Sequence, residues 1–176
     1  MESLETKRLI MREWNMNDAY DVYEYAKSKK VGPMAGWKPH ESIEETEKIL
    51  EMFIEEDETW AIYSKELNKV IGSIGLHHTN EENQLMLGYV LAEEYWGQGI
   101  MVEAAKAVIK YGFDSLGLDN ISVEHFPYNN QSKRVIEKLG FKYIETKEKS
   151  YKIYDGSMVD TVCYLLSKEE FKASRL

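Results

Sequence analysis

Apolar residues along this chain either alternate with polar ones or recur every third to fourth residue, and the switches between the two periods predict its elements. Residues 6–14 read as a first strand, with Leu9, Met11 and Glu13 on one face and Ile10 and Arg12 on the other. Asn17 caps a helix that runs to about Lys30 and gathers Val22, Tyr25 and Ala26 into a stripe. Residues 31–40 hold two glycines and two prolines and read as a loop. Met34 and Trp37 within it are costly to leave in water unless they line something.

Ser42-Ile-Glu-Glu45 is a capping box, and the helix it opens presents Ile43, Leu50, Phe53 and Ile54 on one face. Residues 59–64, 70–78 and 85–91 then read as three consecutive antiparallel strands, with polar turns at 66–68 and 80–83. From Gly97 the period becomes helical, with Ile100, Ala104, Ala107, Val108 and Tyr111 on one side. Residues 121–126 return to strand. Asn129 starts another helix whose Val135, Ile136 and Leu139 point inward, and Gly140 ends it. Residues 142–154 and 158–166 are the last strands, joined at Asp155-Gly156 by an expected type I′ turn. Without repeats or linkers, residues 1–176 form one α+β domain.

Composition narrows the function classes. Hydrophobic residues make up 43% and charged residues 30%, a globular balance. A net charge of −9 argues against nucleic acid as a partner, because duplex binding needs clustered cations. The same charge draws cationic molecules and also simply keeps a protein soluble. No apolar stretch is long enough to span a bilayer, and the N-terminus lacks a cationic region followed by an apolar run, so a cytoplasmic location is expected. A single cysteine, Cys163, excludes an internal disulfide and any multi-cysteine metal site, and no metal is expected.

The most informative stretch runs strand, glycine loop, helix, from Gly88 to Ala104. Gly97 and Gly99 let the backbone approach a ligand closely. The helix behind them begins with unpaired N–H groups and the positive end of its dipole, an anion site suited to a pyrophosphate. A plain strand-to-helix turn also fits two glycines alone. A dinucleotide fingerprint wants a third glycine where Val102 stands, and a phosphate-binding P-loop wants Gly-Lys-Ser/Thr, which is absent.

Tyr95-Trp-Gly-Gln-Gly-Ile-Met-Val-Glu-Ala104 resembles the coenzyme-A loop of the GNAT acetyltransferases, nearest to the branch of the ribosomal-protein acetyltransferases RimJ and RimL. Thr6-Lys-Arg-Leu-Ile-Met-Arg12 is similar to that branch's opening strand, and Asn129-Asn-Gln-Ser-Lys-Arg-Val-Ile-Glu-Lys-Leu-Gly-Phe141 to its later helix. Asp160 and Tyr164 fall where the branch has a "D-x-x-x-Y". The segments keep the family's order across nearly the whole chain. The resemblance implies a mixed, mostly antiparallel sheet of about seven strands flanked by helices. It also implies acetyl-CoA as co-substrate and transfer to a primary amine, either a small molecule or a protein N-terminus. A non-catalytic acyl-CoA sensor on the same fold is the alternative, and the exposed sheet edges allow a homodimer.

Carried over residue by residue, the amides of Trp96, Gly97, Gln98, Gly99, Ile100 and Met101 hold the pyrophosphate. Trp96 replaces the superfamily's usual Arg or Gln, and Met101 its usual Gly or Ala. Val90 and Leu91 lie where the family pairs a strand with the pantetheine arm and sets an N–H against the thioester oxygen, an oxyanion-hole arrangement. Asn129 is both a helix cap and a coenzyme contact. Ile136 occupies the position of the superfamily's frequent tyrosine acid. Ser132 is therefore the candidate proton or hydrogen-bond donor to the departing thiolate, directly or through a water.

An alkyl ammonium has a pKa of about 10, so attack requires a base. His77, His78, Glu93, Glu94 and Glu124 are candidates, and His77 and His78 face opposite ways as strand neighbours. None is singled out. Trp37, Met34 and Tyr128 are candidates for lining the acceptor pocket, against simple core packing. Cys163 sits mid-strand in an apolar run and reads as core, which favours direct transfer without an acyl-enzyme.

Overall fold

The periodicity resolves into six helices packed on the two faces of one sheet, in a computed structural model that describes residues 1–174. Strand β1 spans Leu4–Glu5, β2 Leu9–Arg12, β3 Thr59–Ser64, β4 Lys69–His78, β5 Gln84–Leu91, β6 Asn120–His125, β7 Lys142–Lys152 and β8 Met158–Ser167. They form one eight-stranded sheet in the order β1-β2-β3-β4-β5-β6-β8-β7. All pairings are antiparallel except β5 with β6. The expected count of seven misses β1: residues 6–14 are not one strand, because Thr6 N bonds the Leu9 carbonyl and turns the chain back on itself.

Helices α1 (Ala19–Ala26), α2 (Val31–Ala35) and α3 (Ile43–Glu56) cover one face, where Val22, Tyr25, Ala26 and Leu50 bury against Ala61 and Val70. Helix α4 (Ile100–Asp114) and α5 (Asn130–Lys138) cover the other, closing Ala104, Val108, Ile109, Ile136 and Leu139 over Ile62, Ile74, Leu87 and Ile121. Helix α6 (Lys168–Ser174) follows β8 and stacks Phe171 on Phe113, ring centroids 4.9 Å apart. Alternation along each strand feeds both cores, which explains why β3 and β4 are buried along nearly their whole length.

Four local readings change. Asn15, not Asn17, caps the first helical turn, its side chain accepting from Asn17 N while Asp18 accepts from Asn15 N. Residues 31–40 are not all loop: α2 forms there and ends at Gly36, φ +90°. Ser42 caps α3 as expected, but Glu45 reaches back to Glu41 N, and Ile54 lies exposed, one turn beyond the buried Leu50. The β7–β8 connection is not type I′, which needs positive φ at both central residues. Gly156 N bonds the Ile153 carbonyl, and only Gly156 has positive φ, +88°.

Candidate active site

Strands β5 and β6 pair only from Gln84↔Asn120 to Leu87↔Val123, although both continue beyond. Past Leu87 they diverge, and α4 and α5 start on either side of the gap. The result is a cleft of about 220 Å³ lined by residues 86–91 of β5, Trp96, Met101, residues 124–126, Asn129, Ser132, Tyr151 and Thr161. Parting strands leave main-chain groups without a partner, and such groups must find another acceptor or donor.

Along β5 the unpaired edge is specific. Ala92 N donates to the Ile71 carbonyl, so alternation sends the main-chain groups of Val90 toward β4 and those of Leu91 and Tyr89 toward the gap. Leu91, rather than Val90, is thus the residue that offers its amide to the cleft. Its carbonyl accepts from the Trp96 indole at 2.8 Å, which folds the glycine loop back over the strand. The tryptophan at that position has a structural role.

The loop itself ends at Gly99, which serves as the cap of α4 with φ +74° and no side-chain bond. A Ser or Asp cap would have consumed an amide; glycine leaves them free. Among the described residues, none of the amides at positions 97–101 finds a protein acceptor. A Cβ on Gly97 would meet nothing within 4 Å, and one on Gly99 would meet only Arg8 Nη2 at 3.6 Å. Both glycines are required by their positive φ, not by crowding. The larger Met101 side chain is buried and leaves the loop open.

Asn129 caps α5, its Oδ1 accepting from Ser132 N at 3.1 Å while its Nδ2 donates to the Met34 carbonyl at 3.2 Å. Ser132 is buried at the cleft wall. The phenol of Tyr89, a residue that the sequence reading did not pick out, lies 2.9 Å from Ser132 Oγ and 3.3 Å from its carbonyl. Burial pushes this phenol up to about 12, so it stays protonated and acts as a donor. Ile136 is fully buried core.

Of the base candidates only Glu124 reaches the cleft. It is half-buried, and the Cys163 thiol lies 3.6 Å from its Oε1. His77 is spent on Glu58 at 3.1 Å; His78 and Glu94 are exposed, and Glu93 pairs with Lys30. Neighbouring His125 also lines the cleft, but its Nδ1 must donate to the Phe126 carbonyl at 2.7 Å, so its Nε2 accepts from Tyr164 at 3.0 Å. Both ring nitrogens are committed. Cys163 is buried, and that burial pushes its thiol up.

Trp37 and Tyr128 do not line the cleft. Helix α2 turns Trp37 onto Gly32 and 5.2 Å from the His40 ring, while Tyr128 is 44% exposed beside Phe126. Met34 does line it, together with Phe126 and Tyr151, whose rings stand 5.2 Å apart. Tyr151 comes from the β7–β8 hairpin, held down by a bond from Tyr154 N to the Gly36 carbonyl at 3.2 Å. Among the described residues no three metal-binding side chains gather, and no helix is long and apolar enough to cross a membrane.

The profile of the family described as acetyltransferase (GNAT) domain matches residues 8–142. The chain belongs to the GNAT acetyltransferases. Among curated relatives, the uncharacterized N-acetyltransferase YoaA of Bacillus subtilis is 30% identical, over 94% of this chain and 96% of its own. The [ribosomal protein uS5]-alanine N-acetyltransferase of Escherichia coli is 30% identical over 51% of this chain and 45% of its own, which supports the RimJ-like branch. Among solved structures, a GNAT-family acetyltransferase from Bacillus anthracis superposes with a TM-score of 0.88 at 25% identity, covering 96% of this chain and all of that one.

Proposed function

We propose that this acetyltransferase takes its acetyl group from acetyl-CoA and passes it to a primary amine by direct attack within the β5–β6 cleft. The observation that carries this reading is a single continuous path. It runs from the free amides of residues 97–101, past the unpaired edge of Leu91 and Tyr89, to Ser132 and Glu124. Amides at a helix start suit a diphosphate. The open edge of β5 suits an extended pantetheine arm with its own amides.

Each reacting group then has a partner. Glu124 takes the proton that the ammonium must lose, directly or through a water, as the nitrogen closes on the thioester carbon. The Leu91 amide faces the oxygen on which charge develops. As the carbon–sulfur bond breaks, the hydroxyl of Ser132, oriented by Tyr89, donates to the departing thiolate, which ends up with the second proton that the nitrogen sheds as the amide forms. Cys163 is buried beside the base and plays no part as a nucleophile.

The cleft also bounds the acceptor. Among the described residues its lining holds one carboxylate, Glu124, and no lysine or arginine, with Met34, Phe126 and Tyr151 as apolar walls. An amine bearing a neighbouring carboxylate would meet no counter-charge, so free amino acids are disfavoured. Protein N-termini, polyamines and simple alkyl amines fit; the alanine N-acetylation named for the Escherichia coli relative falls within this class.

The test is in two steps. Coenzyme A raises the melting temperature, and NAD and ATP do so little, since only a ligand of the folded state stabilises it; the reverse order would reject the reading. Free thiol release with acetyl-CoA and a panel of amines then reports transfer. Tight coenzyme binding without turnover of any amine would favour a sensor.

A further inference from the structure

The turn between β1 and β2 and the glycine loop, about ninety residues apart, meet behind the start of α4. Arg8 Nη1 donates to the Gln98 carbonyl at 3.0 Å, inside the loop. The same guanidinium is anchored from the other side, its Nε donating to Glu103 Oε1 at 2.8 Å. Glu103, in the first turn of α4, also accepts at Oε2 from Arg8 N at 3.0 Å and from Thr6 Oγ1 at 2.6 Å. Burial pushes the Glu103 carboxyl up, but these bonds from Thr6 and Arg8 outweigh it and hold it below its ordinary value, as a charged anchor. Arg12, at the end of β2, is instead fastened to Asp18 and has no part in the loop.

What Arg8 grips is a peptide that has a choice. A trans peptide unit points its carbonyl and its N–H in opposite directions. With the Gln98 carbonyl drawn to Arg8, the N–H of Gly99 must face away from Arg8, toward the mouth of the loop. The flipped peptide would present a carbonyl oxygen, the negative end of the dipole, to an anion. Glycine at position 99 makes such a flip sterically cheap, because it tolerates φ of either sign. The glycine supplies the freedom, and Arg8 removes it.

We propose that Arg8, anchored by Glu103 and Thr6, is a positioning residue that locks the Gln98–Gly99 peptide with its N–H toward the coenzyme diphosphate. The inference rests on the reading of the loop given above. Arg8 acts from behind, through the peptide, without touching the ligand. Lysine in its place can reach the Gln98 carbonyl or Glu103, but lacks the planar fork that holds both.

Calorimetric affinities of the Arg8→Gln, Arg8→Lys and unaltered proteins for coenzyme A, 3′-dephospho-coenzyme A and pantetheine test this. Arg8→Gln weakens both diphosphate ligands equally, by about tenfold, and leaves pantetheine unchanged; Arg8→Lys falls between. A loss confined to the ligand with the 3′-phosphate would mean direct contact and overturn the proposal. A loss shared by pantetheine would mean general damage and overturn it too. If Arg8→Gln does not fold, Glu103→Gln is expected to give the same ligand pattern at smaller size, and an unselective loss would overturn the proposal. Unchanged affinity in Arg8→Gln overturns this inference alone, whereas no coenzyme binding by the unaltered protein takes down the reading of the loop itself.

Discussion

The phenol oxygen of Tyr89 stands 2.9 Å from Ser132 Oγ, joining the strand that opens the cleft to the helix that closes it. Both acceptors within reach of the phenol belong to Ser132, its hydroxyl and its carbonyl, so the phenol proton points at that residue. The serine proton is then free to face the cleft. Tyr89→Phe removes one hydrogen bond, and kcat for acetyl transfer falls about five- to tenfold, with KM for acetyl-CoA little changed. Ser132→Ala lowers kcat more, and the double variant is no worse than Ser132→Ala alone. Steady-state kinetics of the three proteins check this; additive losses would separate the two residues.

Glu124 is the one base candidate that the tertiary structure brings to the cleft. Glu124→Gln keeps its size and loses its basicity, so activity near neutral pH falls about 10²- to 10⁴-fold while coenzyme affinity is unchanged. Activity of the variant recovers toward high pH, where the amine loses its proton unaided. A pH–rate profile that overlays that of the unaltered enzyme would exclude Glu124.

Gly97 and Gly99 each hold φ +74°, a region that costs another residue about 1–2 kcal/mol. Gly99→Val aims its side chain at Arg8, not into the phosphate site, and strains the loop. The outcome remains a loss of most coenzyme affinity. Gly117→Ala provides the control, since Gly117 has φ +69° with open space around it and lies away from the loop. It lowers the melting temperature but leaves coenzyme binding as it was.

Cys163→Ala retains activity within about threefold, the size of a weak hydrogen bond to Glu124 lost. Its thiol, pushed up by burial, reacts slowly with alkylating reagents at neutral pH. Mass spectrometry during turnover finds no acetyl group on Cys163; a kinetically competent adduct there would replace direct transfer with a two-step route.

His40 is buried, with Nδ1 2.7 Å from Thr46 Oγ1, and burial holds its imidazole below the ordinary 6.5. The unfolded chain therefore binds more protons than the folded one near that pH. Stability is complete above about pH 6.5 and falls as the pH drops from there through the folded value. Melting temperatures measured from about pH 7.5 to 5.5 decline, and His40→Gln flattens the decline.

Local order was legible because it depends on neighbours in the chain. Helical spacing placed Ala104 and Val108 inward, Ser42 and Asn129 announced their helices, and the Gly-x-Gly turn marked the loop. The misses share a cause. Residues 31–40 looked like loop because Gly32 and Pro33 are poor helix formers, yet packing of Val31 and Trp37 makes a short helix there. Asn15 and Asn17 both suit a cap, and only the bond geometry separates them. Tyr89 read as one more strand residue, and its partner lies forty-three positions away.

The sequence by itself determined the kind of protein: two periods in a fixed order, a glycine loop ahead of a helix, and segments that carry the GNAT resemblance from Thr6 to Tyr164. Tertiary structure decided which residues meet. The divergence of β5 from β6 opened the cleft, strand alternation chose Leu91 over Val90, and the packing of sheet on helices left Glu124 inside while His77 turned to Glu58. Periodicity reports which face a side chain takes along its own element. Which groups stand opposite across a gap depends on the register and direction of chains brought together from far apart, and no local pattern encodes that.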